Sequence, residues 1–411
     1  MNTTQKQAKT WTNLSKFIFR FLFSYFALFI LLLFIGKFIE TPLRWFSSNI
    51  LNWSNDFSIE STGSGDRTFD YLRFIVNLLT SLIILLVWSM LETKKTNYCK
   101  FLYWFETILR VFLSMTMFFY GLAKVFKGQF ADLNLELLVQ SVGEMSPMGL
   151  AWTFMGHSMA YNIFLGGLEI LGGCFLLYRR TTLLGSMLVF GIMVHIAFMN
   201  LTYDIPVKLF SIHLVVMSTI LLFMRKKRII GIFFSNTAIK KEHYVSYVHN
   251  DLLLKCGKFI KKTIIIVLLL AIVLQCLIKF KATEQLRSNS TLRGIWETEL
   301  FIKNQDTIPP LLTDRNRWRF LIIDLKKEAI VKKMTDSIER YEFKEDANKR
   351  EISFSNSSHR IHQKFNYDLQ ATEKLTLYGE DIKIILNKVP ITKFRLLNRK
   401  FHWINESIYK Y

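Results

Sequence analysis

Long apolar segments dominate the first two-thirds of the chain. Seven of them approach the length that a helix needs to cross a hydrocarbon core of about 30 Å. They lie at residues 17–38, 74–91, 105–125, 161–177, 182–201, 209–224 and 263–278. Since no such segment follows Lys279, the pattern predicts a membrane α-helical bundle of about seven transmembrane helices, followed by a domain of another kind.

After residue 283 the apolar positions alternate with polar ones in short runs, which is typical of half-buried strands. The runs lie at residues 294–302, 317–324, 329–334, 337–343, 350–354, 361–367, 374–378, 382–386 and 394–398. This spacing predicts a C-terminal antiparallel β-barrel. Its Gly294-Ile-Trp296 start is similar to that of lipocalin-like barrels. A barrel of this size is either filled by side chains or holds one small ligand, and both alternatives stay open.

The composition fits a chain with a membrane part and a soluble part. Hydrophobic residues make up 51% and aromatic residues 15%, yet 21% of the residues are charged. With 18 Gly, 6 Pro and 4 Cys, the chain is not collagen-like, disordered or a disulfide scaffold. The absence of a C-x-x-C sequence also argues against a thiol–disulfide relay within the chain.

The net charge of +21 is unevenly placed. Basic residues gather at the N-terminus and in alternate loops, at residues 92–100, 179–180 and 225–262. By the positive-inside rule, this bias predicts a membrane protein with a cytoplasmic N-terminus and a C-terminal domain on the opposite side of the membrane. The basic loop is then a segment on the membrane surface, in contact with lipids, and nucleic-acid binding is not expected.

These patterns divide the chain into five predicted parts. Residues 1–100 form an N-terminal two-helix transmembrane region, and residues 101–226 form a four-helix core. A basic cytoplasmic loop (227–262) leads to the seventh transmembrane helix (263–280). Residues 283–411 form the extracytoplasmic β-domain.

Ionisable residues inside a membrane segment are costly, and they are candidates for function. Glu169 is the clearest, because it lies near the middle of the fourth span with Gly166 and Gly173 on the same helix face. Glycines allow another helix or a flat ligand to approach closely. Glu169 is therefore either a proton acceptor or ligand anchor, or a carboxylate paired with Lys124 or a histidine to fix the helix packing.

Other polar residues of the same four helices are expected near the outer half of the bundle. They are Tyr120, Lys124, His195, Asn200, Asp204 and His213. In the functional interpretation, Glu169 and His195 handle protons, and Lys124 or His213 donates a hydrogen bond to a carbonyl oxygen. In the structural interpretation, the histidines are neutral and hydrogen-bonded, and Lys124 extends towards the interface. The histidines lack the spacing of a metal site, so no metal is expected.

Two sequences in the core carry a family resemblance. Tyr120-Gly-Leu-Ala-Lys124 and Gly166-Gly-Leu-Glu-Ile-Leu-Gly-Gly173 resemble the DoxX/DoxD-like integral membrane family, whose four-helix core has Gly-x-x-Glu in its second helix. The resemblance covers residues 101–226. Flanking segments are similar to the long Bacteroidetes-type variant, which has extra transmembrane helices and a C-terminal β-domain. They lie at residues 64–71, 146–156, 203–208 and 397–406.

The resemblance implies an association with quinone-linked redox chemistry. Named members of the family include a subunit of a thiosulfate:quinone oxidoreductase and a membrane partner in oxidative-stress complexes. The resemblance leaves the cofactor unidentified, with a quinone at the periplasmic half of the bundle as the candidate. It implies a protein of the bacterial inner membrane with a periplasmic C-terminal domain, whose candidate role is that of a subunit of a membrane oxidoreductase with a redox or periplasmic protein partner. The alternative is a non-enzymatic membrane scaffold, or a lipid- or small-ligand-binding protein that acts through its β-domain.

Overall fold

The computed structural model describes residues 11–53, 64–92, 98–235, 251–356, 361–399 and 402–408. The chain forms two compact units. The helical unit contains Met1–Gln129 and Met159–Cys276, and the barrel unit contains Phe130–Ser158 and Leu277–Tyr411. Residues 130–158, which join two helices of the predicted four-helix core, therefore pack with the barrel.

Twelve α-helices occur in the described residues. They are α1 (Asn13–Ile35), α2 (Glu40–Asn49), α3 (Thr68–Leu91), α4 (Cys99–Val125), α5 (Leu135–Val139), α6 (Pro147–His157), α7 (Met159–Leu177), α8 (Thr182–Thr202), α9 (Lys208–Met224), α10 (Lys226–Phe233), α11 (Asp251–Leu286) and α12 (Arg395–Asn398). Within this part of the chain, six helices are long and apolar enough to cross a membrane: α1, α3, α4, α7, α8 and α11. A seventh span results if α9 and α10, which meet at a bend of 72°, are counted together.

The predicted bundle of about seven apolar helices is thus confirmed. In the barrel unit, α6 starts at a local sequence signal: the Ser146 hydroxyl accepts a hydrogen bond from Gly149 N at 3.0 Å, and Pro147 takes the first helical position. The predicted basic loop at 227–262 includes residues 236–250, which lie outside the described residues. Its first part is α10.

The barrel consists of antiparallel strands connected by short turns. The strands are β1 (Gly294–Lys303), β2 (Asp306–Thr307), β3 (Trp318–Ile323), β4 (Glu328–Lys333), β5 (Ile338–Asp346), β6 (Glu351–Asn356), β7 (Ile361–Gln370), β8 (Lys374–Tyr378) and β9 (Ile382–Val389). β3 to β9 follow β1 in sequence order, and β9 pairs with β1, which closes the sheet. Short β2 pairs only with the end of β1. The predicted up-and-down β-barrel is confirmed.

Aromatic side chains fill the barrel interior. Trp296 is fully buried, and its indole Nε1 donates to Leu292 O at 2.8 Å. Phe354 lies edge-on to Trp318 with ring centroids 5.7 Å apart, and Phe365 is equally close to Phe354. All of these residues belong to one apolar cluster. The geometry corresponds to the filled alternative of the two barrel types.

One predicted strand is wrong. Residues 394–398 form the short helix α12 instead of a ninth long strand. Pairing of β9 with β1 uses both remaining sheet edges, so no edge is left for a further strand to join. The alternation in Phe394-Arg-Leu-Leu-Asn398 is also too short to distinguish the two structures.

A segment between α4 and α7 packs on the outside of the barrel. We call residues 134–144 the strap. Its apolar side chains Leu135, Leu138 and Val139 contact a patch of barrel residues. That patch contains Ile295, Phe320, Ile322, Ile330, Ile338, Val389 and Phe394. The contact buries apolar surface on both sides, which makes the strap a structural part of the barrel unit.

Polar bonds fix the position of the strap. Leu135 N donates to Asp324 Oδ2 at 3.0 Å. Arg340 binds both carboxylate oxygens of Glu136 at 2.7 and 2.9 Å. The nearly buried Lys332 donates from Nζ to the carbonyl oxygen of the strap's Val139 at 3.0 Å. A bidentate arginine pair specifies geometry as well as adding energy, so the strap has one defined register on the barrel.

The barrel is expected to lose stability at acid pH, in part through Asp314. This carboxylate accepts hydrogen bonds from Asn316 N at 2.7 Å and Arg317 N at 3.0 Å, and these bonds lower its pKa. A carboxyl whose pKa is lowered by folding stabilises the protein above its unfolded value of about 3.9, and this contribution disappears as the pH falls. Denaturant unfolding at a series of pH values between about 6 and 2 gives the free energy of unfolding at each pH. This free energy should fall less steeply with decreasing pH in Asp314→Asn than in the wild type, and the difference in slope should correspond to at most about one proton. Identical slopes would contradict the assignment.

Candidate functional site

Lys124 and Glu169 form a buried ion pair between α4 and α7. Lys124 Nζ lies 2.8 Å from Glu169 Oε1 and 2.9 Å from Oε2. Lys124 is 5% exposed and Glu169 is 2% exposed. The ammonium also lies 5.7 Å from the centroid of the Tyr120 ring, one turn earlier on α4. Three of the predicted site residues are therefore brought together.

Glycines let the two helices approach closely enough for this pair. A Cβ on Gly121 would lie 2.7 Å from Gly166 O, and a Cβ on Gly166 would meet Gly121 O. Further along the same crossing, Ser114 Oγ donates to Gly173 O at 2.8 Å. Small residues at a helix crossing and hydrogen bonds between the helices are the usual means of association in a membrane. The pair is thus the ionic part of a continuous polar contact.

The arrangement leaves the carboxylate little capacity for a ligand. Both oxygens of Glu169 accept from one ammonium, and burial on both sides keeps water away. A buried, hydrogen-bonded ion pair of this kind holds two helices in one register. A ligand that needed a proton donor or acceptor here would first have to separate the two groups.

The close crossing gives a prediction with a built-in control. Gly166→Ala is expected to destabilise the helical unit by about 1–3 kcal/mol, because the added Cβ would overlap backbone on α4. Gly167→Ala should be neutral or stabilising by up to about 1 kcal/mol, since nothing lies within 4 Å of the added Cβ. Loss of helicity on titration with sodium dodecyl sulfate measures both variants. Equal effects would mean that the crossing is not tight.

His213 belongs to a different polar contact. Its Nε2 lies 2.6 Å from Tyr25 Oη, and its Nδ1 lies 2.6 Å from Leu209 O. Because a carbonyl only accepts, Nδ1 carries a proton, and Nε2 forms a hydrogen bond with the Tyr25 hydroxyl. The Phe29 ring stacks on the imidazole with centroids 4.2 Å apart. His213 is therefore a buried histidine of α9 whose two ring nitrogens are both hydrogen-bonded, one of them to α1.

The remaining predicted residues do not join the ion pair. His195 is exposed on α8. Asn200 is buried, and its backbone carbonyl oxygen accepts a hydrogen bond from Ile205 N at 2.9 Å. Asp204 has a positive φ of 50° at the turn after α8, and it binds Lys208 Nζ at 2.6 Å. Among the described residues, no group of three or more His, Cys, Asp or Glu could hold a metal ion.

Asp66 is a structural residue that the sequence did not single out as a site. Its carboxylate accepts from Lys208 N at 2.8 Å and from Leu209 N at 2.9 Å, at the first turn of α9. The adjacent Gly65 N donates to Pro206 O at 2.7 Å. A carboxylate at a helix start satisfies free N–H groups and the helix dipole. The two flanking motifs at 64–71 and 203–208 are thus parts of one contact.

A further polar contact involves Glu106 and Arg110 on α4, whose i, i+4 spacing in the sequence predicts an ion pair within the helix. Their charged groups are 3.8 Å apart, but Glu106 Oε1 binds Arg225 more closely, at 2.8 Å. Arg110 Nε donates instead to Leu176 O on α7, at 2.9 Å. The sequence spacing identified the pair, while its stronger partners come from α7 and the end of α9.

Comparison with known proteins gives one relative. The chain is 40% identical over 124 residues to the uncharacterized protein YwoB of Bacillus subtilis (strain 168). The similar region is 30% of this chain and 79% of YwoB. No family model and no solved structure matches the chain. The DoxX resemblance therefore remains an interpretation of the motifs, whereas the similarity over 124 residues shows that the chain belongs to the family of YwoB.

Proposed function

We propose that this protein is a non-enzymatic membrane scaffold that anchors a rigid β-barrel and engages a partner through the outer surface of that barrel. The observation that carries the proposal is the mutual satisfaction of the ionisable groups in the helical unit. Glu169 is held by Lys124, and His213 is held by Tyr25 and Leu209 O. These bonds stabilise helix packing, and they hold Glu169 and His213 in two separate contacts instead of one common site.

The barrel supports the same proposal. Its interior is occupied by Trp296, Trp318, Phe354 and other large apolar residues of a single cluster. A filled barrel offers its outer surface and turns for recognition, rather than a cavity for a small ligand. The basic loops of the sequence support a cytoplasmic N-terminus, an inner-membrane location and a periplasmic barrel.

The second candidate is the quinone-linked redox function implied by the DoxX resemblance. One observation favours it, namely the proximity of Tyr120, Lys124 and Glu169. An ammonium can donate to a quinone carbonyl oxygen, and a carboxylate can accept a proton. The redox function also requires His195 and His213 at the same site. However, His195 is exposed and His213 binds Tyr25. The geometry therefore favours the scaffold.

Quinone content separates the two functions. The full-length protein would be purified in detergent from bacterial membranes and extracted, and its quinone and lipid measured by mass spectrometry. Glu169→Gln would be measured beside it, together with His195→Gln, whose exposed position makes misfolding unexpected. The scaffold proposal expects no stoichiometric quinone in the wild type. Stoichiometric quinone that falls in either folded variant would overturn it in favour of the redox function.

A further inference from the structure

The end of α11 is hydrogen-bonded to the barrel. The carbonyl oxygen of Leu286, the last residue of α11, accepts from Lys326 N at 2.8 Å. Ser288 N donates to Asp324 O, also at 2.8 Å. The start of β1 and the turn between β3 and β4 are therefore fixed to the end of an apolar helix that is long enough to cross a membrane. We call this the anchored end of the barrel.

The segment that follows β9 starts from the anchored end. In the register of the closing pair, Val389 lies opposite Ile295, while Ile382 lies opposite Lys303 at the other end. Pro390 therefore leaves the barrel beside the attachment of α11. Phe394 belongs to the strap-binding patch. The segment thus begins at the end of the barrel to which α11 is bonded, eight residues (about 12 Å of helix) beyond Ile278, where the apolar stretch of α11 ends.

This segment exposes large apolar side chains that the barrel does not cover. They are Ile391, Leu396, Leu397, Trp403, Ile404 and Ile408. Trp403 is 90% exposed, whereas Trp296 in the barrel interior is fully buried. A group of exposed large apolar side chains marks a surface that binds a protein, a ligand or a membrane. Tryptophan is enriched at the interface between membrane and water.

Charge distinguishes the two ends of the barrel. At the anchored end, the exposed cations of the described turns and of the segment are Lys326, Lys327, Lys349, Arg350, Lys393, Arg395 and Arg399. Exposed acids are fewer there, namely Glu373 in a turn and Glu406 in the segment, and Lys393 Nζ lies 3.7 Å from Glu297. At the opposite end the acids Asp306, Asp314, Asp336, Glu380 and Asp381 outnumber the exposed cations Lys303 and Arg315. Basic residues next to a membrane are attracted by anionic headgroups, and acids are favoured on the side away from them.

We propose that residues 391–399 and 402–408 form an interfacial anchor on the membrane that α11 enters. The apolar side chains enter the boundary between headgroups and acyl chains, and Lys393, Arg395 and Arg399 bind anionic phospholipid headgroups. The proposal is independent of the scaffold function, because it concerns only the barrel, α11 and lipid.

Trp403 supplies the measurement. The full-length protein would be reconstituted into nanodiscs of phosphatidylcholine and phosphatidylglycerol, with either ordinary or brominated phosphatidylcholine. Subtracting the emission of Trp403→Phe from that of the wild type isolates the Trp403 signal, and the exposed position makes this variant safe for folding. We expect brominated lipid to quench this signal by at least half.

Two results would overturn the proposal. Quenching of the Trp403 signal by acrylamide but not by bromine would place the segment in water. Protection from both quenchers would place it against protein, such as a second copy of the chain. Circular dichroism of Trp403→Phe reports whether the fold is intact in each case.

A charge-reversal pair tests the headgroup contact separately. Lys393→Glu/Arg395→Glu should lower the quenching by brominated lipid at least two-fold. The matched control Lys303→Glu/Arg315→Glu reverses the charge of two exposed residues at the opposite end of the barrel. This control should leave the quenching by brominated lipid unchanged. Equal effects of the two variants would mean that net charge, rather than this segment, governs the result, and would overturn the headgroup assignment.

Discussion

Replacing Lys124 by methionine is expected to destabilise the helical unit by about 3–5 kcal/mol. Methionine retains much of the side-chain length but removes the ammonium that binds both oxygens of Glu169. The carboxylate is 2% exposed, so its charge would be left buried without compensation. Loss of helicity on titration with sodium dodecyl sulfate in mixed micelles measures the change in the free energy of unfolding.

The double variant Lys124→Met/Glu169→Leu is the control for this effect. It removes both charges, so it should recover most of the stability that the single variant loses. A double variant as unstable as Lys124→Met would mean that the pair matters through packing rather than charge. The glycine contacts at Gly121 and Gly166 would then be the main cause of the close crossing.

Trp296→Ala is expected to destabilise the barrel unit by about 3–5 kcal/mol. The Trp296 side chain is fully buried, it belongs to the central apolar cluster, and its indole donates to Leu292 O. Alanine would leave a cavity in the interior and an unsatisfied carbonyl oxygen near the start of β1. Denaturant unfolding of the full-length protein in detergent, followed by the loss of β-sheet circular dichroism, provides the measurement.

Leu312→Ala is the matched control for the barrel. Leu312 is 69% exposed in the segment between β2 and β3, so its truncation should change stability by no more than about 0.5 kcal/mol. A loss of less than about 1 kcal/mol in Trp296→Ala would contradict a well-packed interior and revive the alternative of a hollow, ligand-holding barrel.

The sequence predicts much of the fold because each element has a local signal. The apolar stretch at 182–201 corresponds closely to α8, Thr182–Thr202, and the alternating run at 374–378 corresponds to β8. The glycine and carboxylate spacing of Gly166 and Glu169 also indicates a close contact on one helix face. Local patterns failed at 394–398, where closure of the barrel, a non-local event, decides the structure.

The candidate site could be predicted only in part, because its geometry depends on contacts between distant residues. Lys124 was one proposed partner of Glu169, but the sequence left the histidines as alternatives. Whether His195 points inwards depends on the rotation of α8 about its axis, for which the sequence of an almost uniformly apolar helix gives little signal. The capping of α9 by Asp66 joins positions 142 apart and has no local signature.

The strap has a consequence for the order in which the protein assembles. Glu136 and Arg340 are 204 positions apart, and Leu135 and Asp324 are 189 apart. The ribosome therefore completes the strap long before it makes the strands that bind it. The barrel itself closes only when β9 meets β1, so it needs residues up to Val389. Since contacts between distant segments form slowly, docking of this early segment onto the last-made strands is a late step in the assembly of the barrel unit.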